Sequence, residues 1–125
     1  MSAGAAVQSP LVSVMETVAG AEVVVTGRLD VHTVADVRLL LHDVVDRGQG
    51  DLRVRLADAE VHDATGLGVL VGAHHRARRA GRRLVLVDVS PRLDRLLRVS
   101  RLHRVLARGH DASSGTMAGV SALTA

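Results

Sequence analysis

The chain has 125 residues, 47% of them hydrophobic, and a net charge of +3. That length suits one domain with a sizeable core, and the composition is that of an ordered globular fold. Phe, Trp, Tyr and Cys are all absent. The core must therefore be built from Val, Leu and Ala, and base-stacking readers of single-stranded nucleic acid are disfavoured. Disulfides, thiolate zinc sites and cysteine nucleophiles are excluded. All 16 basic residues are Arg, clustered in His74–Arg83 and again at Arg92, Arg95, Arg98, Arg101 and Arg104, with 10 Asp and 3 Glu to offset them. The bland reading, solvated helix faces, outweighs a nucleic-acid or acidic-lipid surface. The first ten residues have no basic segment ahead of an apolar run, as a signal peptide would. No apolar stretch approaches the roughly eighteen residues of a membrane span. A cytoplasmic protein with no membrane span is the expectation.

Residues 1–10 read as a flexible lead-in, residues 11–108 as the folded domain, and residues 109–125 as a disordered tail of small side chains. Leu11–Val18 and Ala21–Gly27 are β-branched enough for two strands, and Ala19-Gly20 between them suggests a hairpin. A helix capped by Thr33 follows, with Val34, Val37, Leu40, Leu41, Val44 and Val45 at three-and-four spacing and Gly48 closing it. Asp51–Asp58 is the next strand, ending near Leu56. A helix through Leu67, Leu70, Val71 and Ala73 stops at Gly81. Arg82–Val89 is a near-continuous apolar strand, the mark of a position covered on both faces. Ser90-Pro91 starts a helix with Leu93, Leu96 and Leu97, and His103–Ala107 is read as a short last strand. The order β-β-α-β-α-β-α-β predicts a single α/β domain. Its sheet is mixed, with four or five strands and helices mainly on one face.

The stretch "VHDATGLGVLVG", Val61 to Gly72, carries the chemistry most open to interpretation. Gly66, Gly68 and Gly72 could cradle a phosphate, but that needs the first glycine at the strand's own end. A strand ending near Leu56 leaves "ADAEVHDAT" in between, so a nucleotide site is disfavoured. The seven His residues fit no metal-ligand pattern, no Gly-x-Ser-x-Gly elbow exists, and no cofactor, metal or catalytic residue is expected. What remains is a helix start behind an exposed loop. Asp63 or Thr65 can cap it, with Thr65 the expected cap. Gly66 and Gly68 keep the first turn bare, and Gly68 and Gly72 would let the helix lie close to a neighbour. Such a start is a docking surface sensitive to an added phosphate.

The order of elements around Asp63-Ala64-Thr65-Gly66-Leu67-Gly68 resembles the STAS-domain family, specifically its anti-sigma factor antagonists. "VTGRLDVHTVADVRLLL" is similar to that family's Gly-Glu-Leu-Asp segment and first helix, with Arg28 where Glu is usual. The resemblance spans about residues 11–107. It implies a regulator that binds an anti-sigma factor, a kinase-fold protein, and so releases a sigma factor. Asp30, His62, Asp63, Ala64, Thr65, Gly66, Leu67 and Gly68 would then lie at the docking surface. In the family the serine after the motif aspartate takes the phosphate that ends binding. Ala64 stands there in this chain, which leaves Thr65 as the adjacent hydroxyl and possible phosphorylation site. The expectation is a largely phosphorylation-independent antagonist. Two other readings are a STAS subunit of a lipid-transport ATPase complex and a nucleotide or small-molecule sensor.

Overall fold

The computed structural model describes residues 6–8 as backbone and residues 12–109 with their side chains. In chain order these form β1 (Ala6–Gln8), β2 (Val12–Val18), β3 (Glu22–Leu29), α1 (Val34–Arg47), β4 (Leu52–Val61) and α2 (Ala64–Arg79). Then come β5 (Leu84–Val87), α3 (Pro91–Val99), a 3-10 turn (Leu102–Arg104) and β6 (Ala107–Gly109). Spatial order in the sheet equals chain order, β1 to β6. Neighbours from β1 to β3 pair antiparallel, and neighbours from β3 to β6 pair parallel, each parallel step crossing over through a helical segment. β2 to β6 are the mixed five-strand sheet expected of the sequence, and β1 adds a short sixth strand inside the lead-in.

The register explains which face is buried. Val14 sits opposite Val25, Val23 opposite Val54, and Leu52 and Val54 opposite Leu84 and Leu86. These residues, with Val37, Leu41 and Val44 of α1, Leu70 and Ala73 of α2 and Leu93 and Leu97 of α3, form one buried cluster. Each large side chain so buried contributes about 1.5–3 kcal/mol relative to exposure. The three helices thus cover one face. On the other face Glu22 lies between Arg53 and Arg55, at 3.4 and 3.1 Å, and Val85 and Val87 belong to that side of β5, outside the main cluster.

Several boundaries differ from the sequence reading. β4 runs on to Val61 because it takes a bulge: Val24 pairs with Arg55 but Thr26 pairs with Asp58. Three β4 residues there match two of β3, so burial passes from the even positions Leu52, Val54 and Leu56 to the odd positions Ala59 and Val61. β5 is only four residues long, all buried. Of the expected last strand at His103–Ala107, His103 and Arg104 fall in the 3-10 turn and only Ala107 in a strand, which runs on to Gly109. The expected tail beyond Gly109 lies outside the described residues.

Thr33 does not cap α1 with its side chain. Its buried hydroxyl donates to the Arg28 carbonyl at 2.8 Å and accepts from the Asp30 amide at 3.0 Å, pinning the end of β3 to the start of the helix. At the other end of α1, Arg82 reaches in as a buried guanidinium. Its Nη1 donates to the Val44 and Val45 carbonyls, each at 3.0 Å, its Nε to Gly50 at 2.8 Å, and its Nη2 to Gly20, Gln49 and Asp51 carbonyls. One side chain thereby satisfies orphan carbonyls of a helix end and of two connections.

Candidate functional site

Two aspartates organise the carboxyl end of the parallel strands in the same way. Asp30, just after β3, accepts the His32 amide at 2.8 Å, while its carbonyl receives the amides of Thr33 and Val34. Asp63, just after β4, accepts the amides of Thr65 at 3.0 Å and Gly66 at 3.3 Å. Asp63 is therefore the N-cap of α2, and the capping role expected of Thr65 is not its own. The Asx geometry explains the choice: a residue in extended conformation directly before the helix can aim its carboxylate at the second and third amides, and Asp63 is that residue. Thr65 lies inside the first turn, exposed, and its hydroxyl makes no hydrogen bond among the described residues.

The glycines divide by what surrounds them. A Cβ on Gly66 would meet the Leu29 carbonyl oxygen at 2.7 Å and the Leu29 and Val61 side chains just beyond. Gly66 is where α2 rests on the end of β3, and this contact brings Asp30 and the α2 start into one region. Gly68 and Gly72 have nothing within 4 Å of a Cβ, so the close packing expected of them does not occur. They face outward instead. The nucleotide reading was disfavoured on a strand ending near Leu56, a boundary that proves wrong, since only His62 and Asp63 separate β4 from α2. Geometry still weighs against it: a Cβ's space at the first glycine is taken by backbone of β3, and Asp63 accepts two of the helix's free amides.

Of the remaining expected site residues, His62, Asp63, Ala64, Thr65 and Gly68 are exposed, and Asp30 is half-buried. Leu67 is 6% exposed and part of the core cluster, with only an edge at the surface. On the overhanging ends of β3 and β4, Glu60 lies 3.7 Å from Arg28 and 3.5 Å from His62. Val31, beside Asp30, is 72% exposed, an apolar residue on this surface that the sequence reading passed over. Among the described residues no three His, Asp or Glu come together to hold a metal ion. Nor is any helix long and apolar enough to cross a membrane.

A second feature, also passed over, starts at the same place. Ala64, Leu67, Gly68, Val71, Gly72 and His75 of α2 form one wall of an apolar groove of about 460 Å³, with Ser100 and Leu102 on the other. The sequence signal was the pair Gly68 and Gly72, one helical turn apart, read as packing when it opens a surface.

The description "STAS domain" fits residues 13–114 of the chain. An anti-sigma-B factor antagonist of Bacillus subtilis is 33% identical over 99 residues, which is 79% of this chain and 86% of that protein. Among solved structures, an anti-sigma factor antagonist from Mycobacterium paratuberculosis superimposes with a TM-score of 0.68 at 19% identity, covering 90% of this chain and 97% of the other. The Bacillus cell fate determinant SpoIIAA in its phosphorylated form gives 0.60 at 17% identity, covering 81% and 93%.

Proposed function

The chain belongs to the STAS domain family, and from that premise we propose that it is an anti-sigma factor antagonist working by partner exchange in the cytoplasm. It binds a kinase-fold anti-sigma factor through the loop and helix start His62–Gly68, with Asp30 and Val31 alongside, and a sigma factor is released. The observation that carries this reading is the α2 start itself. Its cap is internal, supplied by Asp63, so the outward atoms of Ala64, Thr65 and Gly68 are not engaged in holding the fold. The identity to an anti-sigma-B factor antagonist points the same way.

Regulation turns on one methyl-for-hydroxyl difference. Ala64 has no side-chain oxygen to accept a phosphoryl group, whereas the Thr65 hydroxyl is exposed and unbonded among the described residues. The cap role expected of Thr65 falls to Asp63, and we take the Thr65 hydroxyl as the regulated one, with a phosphorylation-independent antagonist as the opposing outcome of the test below. A phosphate there adds close to two negative charges beside Asp63. The α2 dipole tolerates it within the chain, but a partner packed on that surface would have to desolvate it.

Binding of the chain to a purified kinase-fold anti-sigma factor, followed by incubation with ATP and intact-mass analysis, tests both statements. We expect a single added phosphate at Thr65, absent in Thr65→Ala, and loss of binding in Thr65→Glu. Unchanged binding by Thr65→Glu sinks the docking surface; phosphate on any other residue sinks the assignment of the hydroxyl.

A further inference from the structure

The groove between α2 and the α3–3-10 segment has walls of a single charge sign. α2, Ala64–Arg79, contains no acidic residue, and neither does the stretch from Arg95 to Arg108 that supplies the other wall. Along α2 the groove positions Ala64, Gly68, Gly72 and His75 recur at helical spacing, and the next position on that stripe is Arg79. On the opposite wall Arg101 sits between the lining residues Ser100 and Leu102, with Arg104 one turn on. Arg101 takes a left-handed φ of 65°, which turns the chain out of α3 and sets Leu102 into the groove.

Half of the sixteen arginines have a carboxylate: those at 28, 47, 53, 55, 76, 83, 98 and 108 each form an ion pair. Arg79, Arg101 and Arg104 have none among the described residues. An apolar floor with these cations at neighbouring chain positions, and no carboxylate in either wall, fits an apolar stripe flanked by carboxylates and repels a basic one. The floor's length sets the size of the occupant. From Ala64 to His75 the α2 axis rises about 16 Å, three turns, which a helix of about eleven residues matches. The missing side chains at Gly68 and Gly72 let such a helix come close.

We infer that this groove receives an amphipathic helix of a partner protein, with an apolar stripe flanked by Asp or Glu, laid along α2. The inference rests on the proposed role of α2 as the docking helix and extends that surface from the Asp63 cap to Arg79.

The test uses the full chain and two designed helical peptides of fourteen residues. Both carry the same Leu stripe, at i, i+3, i+4 and i+7. One has Glu at every other position, and the other has Lys. Amide shifts of the ¹⁵N-labelled chain are followed by NMR during titration. The Glu peptide should bind at least tenfold more tightly than the Lys peptide at low salt, move the amides of Gly68, Gly72, His75 and Leu102, and lose its advantage at high salt. A Cβ at Gly72 meets nothing within 4 Å, so Gly72→Leu can project into the groove, and it should weaken binding at least tenfold with no loss of thermal stability. Arg101→Glu with Arg104→Glu should reverse the preference. Equal binding of the two peptides, or shifts confined to other surfaces, overturns the inference. So does concentration-dependent self-association abolished by Gly72→Leu, which would make the groove an interface between copies. Peptide binding seen only after removal of residues 110–125 would give the groove to the chain's own tail and overturn it too. If an anti-sigma factor is bound and Thr65→Glu abolishes the binding but Gly72→Leu and the arginine variants do not, the groove fails while the proposed function stands. If none of these variants alters binding, both fail.

Discussion

The two ends of the sheet treat their polar groups in opposite ways. At the amino end of the parallel strands, Arg82 is 5% exposed and gathers carbonyls from α1, the β2–β3 turn and the loop before β4. Gly48 is pressed against that guanidinium and the Gly20 carbonyl. At the carboxyl end Asp63 satisfies only the first amides of α2, the Thr65 hydroxyl faces water, and Gly68 and Gly72 face open space. The first end is closed around its donors. The second leaves donors, acceptors and bare backbone for something outside the chain. Residues of the same type, arginine or glycine, therefore mean different things at the two ends.

Substitution should expose that difference, most of all at Arg82. Arg82→Ala strands several buried carbonyls and should cost about 3–5 kcal/mol in urea unfolding, with Arg82→Lys recovering little because an ammonium lacks the planar fork. Binding per folded molecule should be unchanged; a variant that folds normally would mean the closed end is not what holds α1 in place. The glycine pair comes next, with opposite signs. Gly66→Ala drives a Cβ into the Leu29 carbonyl and should destabilise by about 1–3 kcal/mol. Gly68→Ala meets nothing and should stabilise by roughly 0.5–1 kcal/mol through helix propensity. Equal effects in thermal unfolding would erase the distinction between a packed and an open glycine. The smallest contrast lies within the α2 start: Asp63→Ala should cost about 1 kcal/mol, whereas Thr65→Ala should change stability by less than about 0.5 kcal/mol. A reversed order in chemical denaturation would return the cap to Thr65.

Acid provides a further probe that bypasses backbone design. The pKa of His74 lies below the ordinary histidine value, first because the ring is buried and then because His75 and Arg78 are near; that of His42 is lowered by burial, then by Arg76 and Arg38. Neither His74 ring nitrogen has a hydrogen-bond partner among the described residues. Below the unfolded pKa of about 6.5 the unfolded chain takes up protons that the folded chain resists, so stability falls as pH drops from 7 toward 5. Asp46, Asp51 and Asp94, held low by Arg76, Arg83 and Arg98, lose their contribution only at more acid pH. His74→Leu should flatten the decline between pH 7 and 5 in urea midpoints; an undiminished slope would place its origin elsewhere.

The helices and the central strands were legible because their apolar spacing is regular: α1, α2 and the Ser90 cap of α3, whose hydroxyl accepts the Leu93 amide at 3.1 Å, all fall where the sequence places them. β4 was cut short because its period breaks at Ala57-Asp58, the bulge, where two exposed residues follow each other. Local pattern carries no sign of a bulge when the partner strand is unknown. The last strand is expected at His103–Ala107, where Val105, Leu106 and Ala107 are apolar in a row, but strand pairing begins only at Ala107, after the 3-10 turn Leu102–Arg104. At the site, the motif identified the right region but not the division of labour within it. Asp63 and Thr65 are both competent caps by residue type, and only the backbone angles at Asp63 decide between them. Arg82 gave no sequence signal at all. It stands in a run of arginines, and only its carbonyl partners, contributed by segments more than thirty residues away, set it apart.

The β4 bulge also sets a structural reading frame. Upstream of it even-numbered residues point into the core; downstream odd-numbered ones do, and Val61 is the last before the loop. Deleting Ala57 would remove the extra residue and leave one simple alternation, with Leu56, Ala59 and Val61 inward and Asp58 and Glu60 outward as before. Deleting Ala59, beyond the bulge, would instead turn Glu60 inward and Val61 outward, and Asp63 would leave the strand facing the wrong way to meet the amides of Thr65 and Gly66. A single-codon deletion outside the motif would thus silence it without altering one of its letters, while the same deletion at the bulge or in the Gln49–Gly50 connection keeps that phase. Length variation along this chain is tolerated or forbidden according to which side of that frame it falls on.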